Sequence, residues 1–425
     1  MTTMKRSTTI KSRATRPRLR PSALAIVAMV CGLAAFAPRA HGQTAYEWRG
    51  TTSSDPTVST NWQGTAFTLF NQSSNSRLNI QNGAASALNY SAAQGTTTLA
   101  SSARALVIGN SSGTGSMLIT GGTLSLGGAS TSIIGANAAT GSLEINGGRF
   151  EVTSGGFEIG GIGLGNPGTG TLTLTAGVAV LPTLSLQAAN GNATINLNGG
   201  TLTLGTLTVG TAANTSFRFN GGTLQASASS TTFLQNFDAA DVRNGGAVID
   251  SGAFNIGLPQ VLRKSQIGGD AAIDGGLRKL GSGTLTLSAA NTFNGPTVIE
   301  AGTLLLADAA ALQASTFDTA SSGTLSFGTL TSATFGGLTN SGTLALQNAS
   351  SAALALTVGG GNASSTFAGR LTGSGSLTKI GSGTLTLTGA TNDYAGTTTV
   401  SAGTLLLSNT AAIPGIVTAG RYSVA

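Results

Sequence analysis

The sequence predicts an all-β protein: a right-handed parallel β-helix, or solenoid, built from coils of roughly 22–29 residues. Three observations predict it. A segment near the C-terminal end recurs almost letter for letter. A looser, glycine-punctuated cycle fills the chain before it. Short runs in which an apolar residue alternates with a hydroxyl residue recur throughout. A fixed repeat sets the architecture before any single residue is interpreted.

The strong repeat is Gly275–Leu306, GGLRKLGSGTLTLSAANTFNGPTVIEAGTLLL, which returns as GSLTKIGSGTLTLTGATNDYAGTTTVSAGTLLL over Gly375–Leu407. The heptapeptide Gly281–Leu287 is identical to Gly381–Leu387, and the one inserted residue falls in the polar middle, between Ala390 and Tyr394. A fixed frame around a variable polar segment is what strands joined by a loop produce. In Thr284-Leu285-Thr286-Leu287 the alternation sends leucines to one side and threonines to the other, so the repeat reads as strand, turn, strand. Leu304-Leu305-Leu306 is wholly apolar, which predicts a strand covered on both faces. One unit cannot bury its own leucines, so a second must stack on it.

This pattern resembles the autotransporter-associated β-strand repeat of secreted passenger regions. The matching residues are Gly276-Leu277, Lys279, Gly281 to Leu287, Asn291-Thr292-Phe293, Gly295 and Ala301 to Leu304. In the second copy they are Leu377, Lys379, Gly381 to Leu387, Asn392, Tyr394, Gly396 and Ala402 to Leu407. The lead-in Gly245-Gly246-Ala247-Val248-Ile249-Asp250 is similar to the family's approach to the repeat. The resemblance implies a parallel β-helix and export from the cell. It carries over no catalytic residues, because the family repeat has none.

Residues 106–224 hold the looser cycle. It runs through Ile108-Gly109, Gly115 to Ile119 and Gly121-Gly122, then recurs from Ile134-Gly135, from Ile162-Gly163, before Gly199-Gly200 and before Gly221-Gly222. Successive small-residue turns lie 22 to 29 residues apart, the length of one coil with about three short strands. Leu, Ile and Val are expected inside, stacked on their equivalents above and below; Thr and Ser are expected outside.

Residues 1–42 read as a signal peptide. Lys5, Arg6, Lys11, Arg13, Arg16, Arg18 and Arg20 make a basic n-region, Ala23 to Ala37 an apolar h-region, and Ala40-His41-Gly42 a cleavage site before Gln43. The apolar run is shorter than the ~20 residues that cross a bilayer, so the chain is expected to meet a membrane only through this leader. Eight of the 21 basic residues lie here and none of the 14 acidic ones, so the formal charge of +7 belongs to the leader and the mature chain carries about −1. No nucleic-acid partner is expected of it. The single cysteine, Cys31, and the single histidine, His41, leave with the leader, which excludes thiol, zinc and haem chemistry.

Residues 43–105 are assigned to an N-terminal cap and first coils, with Trp48 and Trp62 as rings that cover the open end or, in another reading, stack on a ligand. Residues 225–274 form less regular coils with loops, where Asp238, Asp241, Arg243, Asp250, Arg263, Lys264, Asp270 and Asp274 concentrate. Three readings exist for them: solvated loop charges, a calcium site at Asp270 and Asp274, or acid–base work by Asp238 and Asp241 on a loop or short helix. Asp270 and Asp274 do not match the calcium-binding nonapeptide. Residues 275–425 are β-helix carrying both strong repeats. The sequence to Ala425 holds no alternating strands of a translocator barrel, which leaves three readings: a truncated gene product, a passenger separated from its outer-membrane translocator, or a protein released after the inner-membrane step.

No residue is assigned a catalytic, cofactor-binding or metal-binding role. The expectation is a non-enzymatic, exported passenger-like β-helix at the cell surface or outside it, reached through the periplasm. Its role would be structural or adhesive, and surface glycans or host and matrix polymers are the partners its surface would meet. The alternative is a polysaccharide-binding or polysaccharide-degrading β-helix. That reading requires carboxylates and aromatics gathered on one face, and the sequence shows no such gathering.

Overall fold

The computed structural model describes residues 44–48, 62–63, 76–81, 87–101, 105–110, 113–161, 168–186, 191–210, 213–389, 391–408, 413, 416–418 and 421–424. The leader assigned to 1–42, with Cys31 and His41, lies outside them. So do the rings of Trp48 and Trp62, whose backbones pair across the antiparallel contact of Thr44–Trp48 with Trp62–Gln63. Every other pairing between the named strands is parallel.

Three ladders make the solenoid. One stacks Leu88–Tyr90, Thr114–Ile119, the first part of Thr140–Val152, the first part of Thr169–Leu186, Asn192–Leu197, Thr215–Phe219, Ala239–Val242 and Leu262–Lys264. A second begins Thr96–Ser101, Thr123–Gly128 and the last part of Thr140–Val152. A third begins Thr44–Trp48, Ser76–Ile80, Leu106–Ile108, Ser132–Ile134 and Phe157–Ile159. Thr140–Val152 turns from the first ladder into the second at Gly147-Gly148. Gly148 has a φ of +65° there, and a Cβ on it would overlap the backbone of Gly121-Gly122 in the coil before.

The core follows from register. Leu143, Leu172, Ile195, Phe217, Ala240 and Leu262 occupy one inward position in six successive coils, and none is more than 1% exposed. Each fully buried side chain of leucine size contributes about 1.5–3 kcal/mol relative to exposure. That stabilisation is spread along the column rather than gathered at one centre. The expected leucine–threonine alternation holds in Thr284–Leu287 and Thr384–Leu387, with leucines buried and threonines half-buried.

Three expectations need correction. The coil is not held to 22–29 residues: Leu277 pairs with Thr297, twenty positions on, while Ala247 pairs with Leu277, thirty positions on. Strand rungs are fixed by hydrogen bonding, whereas the turns between them lengthen or shorten freely. Leu304-Leu305-Leu306 is covered on one face only. Leu304 and Leu306 are buried, but Leu305 points to the half-exposed side, because a strand wound once round a solenoid has solvent on its outer face. Hydroxyls are not confined to the outside either: Thr215, Thr297, Ser315 and Thr398 are fully buried.

Both copies of the strong repeat lie in one solenoid, but on different ladders. Leu277–Leu280 follows Ala247–Asp250 and is succeeded by Thr297–Ile299 and then Phe317. Ser376–Lys379 follows Ala355–Val358, which pairs with Ser332 to Phe335. Phe335 pairs back to Leu312, while Phe317 pairs on to Leu338. The strand Leu312–Asp318 thus spans a corner, and the second copy begins on the face next to the one that began the first.

Backbone crowding at the turns gives a test. At Gly276 φ is +72°, and a Cβ would overlap the Pro296 carbonyl oxygen of the next coil. Gly276→Val should lower unfolding stability by about 2–4 kcal/mol. Gly268→Ala, with nothing near its Cβ, should change it by less than about 0.5 kcal/mol in the same urea titration.

Candidate functional site

Six groups of the charged stretch, Asp241, Arg243, Asp250, Arg263, Asp270 and Asp274, make internal contacts. Asp241 sits on the strand Ala239–Val242, not on a loop or helix, and is 4% exposed. Its Oδ1 accepts from Arg263 Nε at 2.6 Å, one rung on in the same ladder. Asp238 is exposed and outside that strand, so the two carboxylates form no acid–base pair. Arg243 holds Asp270 with two parallel bonds, Nε to Oδ2 at 2.9 Å and Nη2 to Oδ1 at 3.0 Å, and Ser265 Oγ donates to Oδ2 at 2.6 Å. The Arg243 guanidinium holds the Asp270 carboxyl below the usual carboxylate range, with Ser265 helping. Such a fork-to-fork pair also fixes the loop that carries it.

Asp274 is turned elsewhere. Its Oδ1 accepts from Gly276 N at 2.9 Å and Gly295 N at 2.8 Å, and its Oδ2 from Asn294 N at 2.8 Å. Asn294 answers by accepting Asp274 N at 3.0 Å. The carboxylate therefore clamps two coils at their turns and is not aimed with Asp270 at a shared ion. Asp250 accepts from Gly252 N at 2.8 Å and Gln225 Nε2 at 3.0 Å. Among the described residues no three His, Cys, Asp or Glu side chains gather as a metal site would require.

The more informative polar groups lie inside the repeats, where the sequence reading assigned no role. Lys279 is fully buried, and its Nζ donates to the carbonyls of Leu280 at 2.8 Å, Gly281 at 2.7 Å and Ala301 at 3.0 Å. Lys379 repeats the arrangement with Ile380 at 2.5 Å, Gly381 at 3.0 Å and Ala402 at 3.4 Å. An ammonium has three protons, and three carbonyls at a turn take them all. Burial pushes the Lys279 ammonium down to about 8, with Asp250 partly offsetting it, and burial pushes Lys379 down as well.

Asn291 is 1% exposed and bridges three coils: its Oδ1 accepts Leu262 N at 2.8 Å and its Nδ2 donates to Ala311 O at 3.0 Å. Asn392 takes Leu371 N at 2.9 Å in the same way. Thr297 and Ser315 share a buried hydroxyl contact at 2.7 Å, and Tyr394 meets Thr398 in the second copy. Burial pushes the Tyr394 phenol up to about 12. The signal that could have found these residues was in the sequence: both copies keep a Lys two residues before the first frame glycine (Gly281, Gly381) and an Asn eleven residues before the glycine of the closing Gly-Thr-Leu (Gly302, Gly403).

These contacts generate two expectations. Asn291→Ala strands two buried backbone groups and should cost about 2–4 kcal/mol in urea unfolding. Lys279 loses its proton more readily in the fold than in the unfolded chain. Stability should therefore rise as pH climbs from about 8 toward the ordinary lysine value of 10.5. Urea midpoints measured across that window should show the rise, and Lys279→Met should make it shallower.

Comparison with known proteins bears on the repeats. A family model described as the passenger-associated-transport-repeat matches residues 277–306 and 377–407. The chain is also 29% identical over 228 residues to the adhesin BmaC autotransporter of Brucella suis biovar 1 (strain 1330). That match covers 51% of this chain but 6% of the adhesin, so the chain spans a small fraction of its relative's length. No solved structure matches it. The repeat resemblance read from the sequence is thereby established over both copies.

Proposed function

Starting from a passenger-like parallel β-solenoid with two passenger-associated-transport-repeats, we propose that this chain is an exported surface or extracellular protein. Its work is adhesive or structural, without catalysis. The leader over residues 1–42 directs it to the periplasm, and a translocator carries it outward. One observation supports the reading above others: the charged groups that could do chemistry are used to hold coils together. Asp241, Asp270 and Asp274 each face internal donors. What remains for a partner is the outer surface of the ladders, where threonine, serine and asparagine recur at strand spacing.

Such a surface makes many weak, uncharged hydrogen bonds, and a repeating ligand meets them in series. Surface glycans and host or matrix polymers have that chemistry. The relative of similar sequence is itself named an adhesin.

Two measurements test the proposal. Export should yield a chain beginning at Gln43 by N-terminal sequencing, and deletion of residues 2–42 should leave it in the cytoplasm. Beads coated with the exported chain should adhere to glycan or matrix surfaces and release no soluble sugar from them. Sugar release that disappears in Asp250→Asn or Asp270→Asn would replace the adhesive reading with an enzymatic one.

A further inference from the structure

One ladder of the solenoid is interrupted. Ile256–Leu258, Thr284–Leu287, Thr303–Leu306 and Thr324–Ser326 pair in succession and stop there. Thr343–Ala345 starts a new pair with Arg370–Thr372. Among the described residues, no ladder bond joins Thr324–Ser326 to Thr343–Ala345. The break is bounded on both sides. Gly342 N donates to Thr319 Oγ1 at 3.1 Å at one end, and Ala349 N to Gly328 O at 2.9 Å at the other. Between them lies a groove of about 400 Å³, and Thr319, Leu325, Phe327, Leu344 and Asn348 are among its walls.

The backbone at both rims is unspent. In a parallel ladder alternate residues direct both N–H and C=O to the same neighbour. Thr324 N bonds back to Gly302 O, so Leu325 presents its N–H and C=O to the groove. On the other rim Arg370 N takes Gly342 O and Leu346 N takes Thr372 O, which leaves Thr343 and Ala345 facing the groove. Buried or semi-buried backbone groups of this kind are normally paired.

The inward column is interrupted at the same place. Leu285 and Leu304 are fully buried, but Leu325, next in register, is only partly buried against the core. The floor beneath is aromatic, with Phe327 stacked on Phe335 at 6.1 Å and 19°. No charged side chain lines the groove.

We propose that this interruption is a peptide-binding slot. It takes one extended, uncharged polypeptide strand of alternating apolar and hydroxyl residues, which pairs with both rims and restores the ladder. Three strand residues occupy roughly 10 Å by 5 Å by 10 Å, on the order of 500 Å³, which is the scale of the groove. A strand offers donors and acceptors at the spacing both rims require, and every second side chain would continue the leucine column between Leu325 and Leu344. A sugar chain offers hydroxyls but no such apolar period. Strand addition of this type draws affinity from main-chain bonds and specificity from alternate side chains. The slot is independent of whether the outer surface serves adhesion.

The probe is a fluorescent peptide with the sequence of residues 284–287, Thr-Leu-Thr-Leu, short enough for the span between the two closing bonds, titrated against the full chain by polarisation. Saturable one-to-one binding is expected. Methylation of alternate backbone nitrogens in the peptide should weaken it about tenfold, the loss of one or two net hydrogen bonds. Ala345→Pro, which removes one rim donor, should weaken it comparably. Hydrogen exchange should show the peptide slowing the Leu325, Thr343 and Ala345 amides, a readout that needs no variant. Absence of saturable binding, equal binding of the methylated peptide, or protection confined to other strands would overturn the proposal. So would displacement by a neutral oligosaccharide and not by unlabelled peptide.

Discussion

A coil in this solenoid touches only the coils before and after it, so an inward leucine is buried only when its neighbours place an apolar group at the same offset. Register between coils is the constraint on which the rest of the molecule depends. A slip of one residue would turn every leucine of a strand outward and every threonine inward. The column from Leu143 through Leu172, Ile195, Phe217 and Ala240 to Leu262 shows the requirement met in six coils whose turns differ in length.

Apolar stacking alone specifies register weakly, because leucine packs against leucine at several offsets. The buried polar groups are selective. Asn291 satisfies a donor in the coil before and an acceptor in the coil after, and neither bond survives a shift along the strand. Lys279 gathers carbonyls from its own turn and from Ala301 one coil on. Leaving such a group unpaired in the interior costs more than the bond itself contributes when made. In that sense the repeats act as register pins, set among coils where hydrophobic alternation is more permissive.

Much of the fold was legible in the sequence. Thr284-Leu285-Thr286-Leu287 announced a strand with one buried side, and the glycine-pair spacing announced coils. Other features were hidden for identifiable reasons. A lysine is ordinarily solvated, so nothing local marked Lys279 as interior; only its return as Lys379 did. Asn291 stood out only as a residue of the repeat, because a single sequence does not show that its amide reaches two other coils. Leu305 looked buried because composition does not reveal that the outer face is open. The rotation of the second repeat onto the next ladder depends on a corner within Leu312–Asp318, whose strand pattern continues across it. In the charged stretch, the concentration of Asp241, Arg243, Asp270 and Asp274 was visible. Their pairing was not, since Asp241 and Arg263 meet only through ladder register.

A stack held this way leaves its exterior free to vary. The most direct measurement is disulfide trapping in a Cys31→Ser background. Thr286 and Leu305 are half-exposed partners in neighbouring coils. Their Cα atoms should fall in the range that a disulfide bridges. Thr286→Cys with Leu305→Cys should therefore cross-link within one chain on mild oxidation. Thr286→Cys with Thr386→Cys, at matching letters of the two repeats, should remain reduced. The opposite result, a bridge between the two repeats and none between the adjacent coils, would contradict the stacking described here.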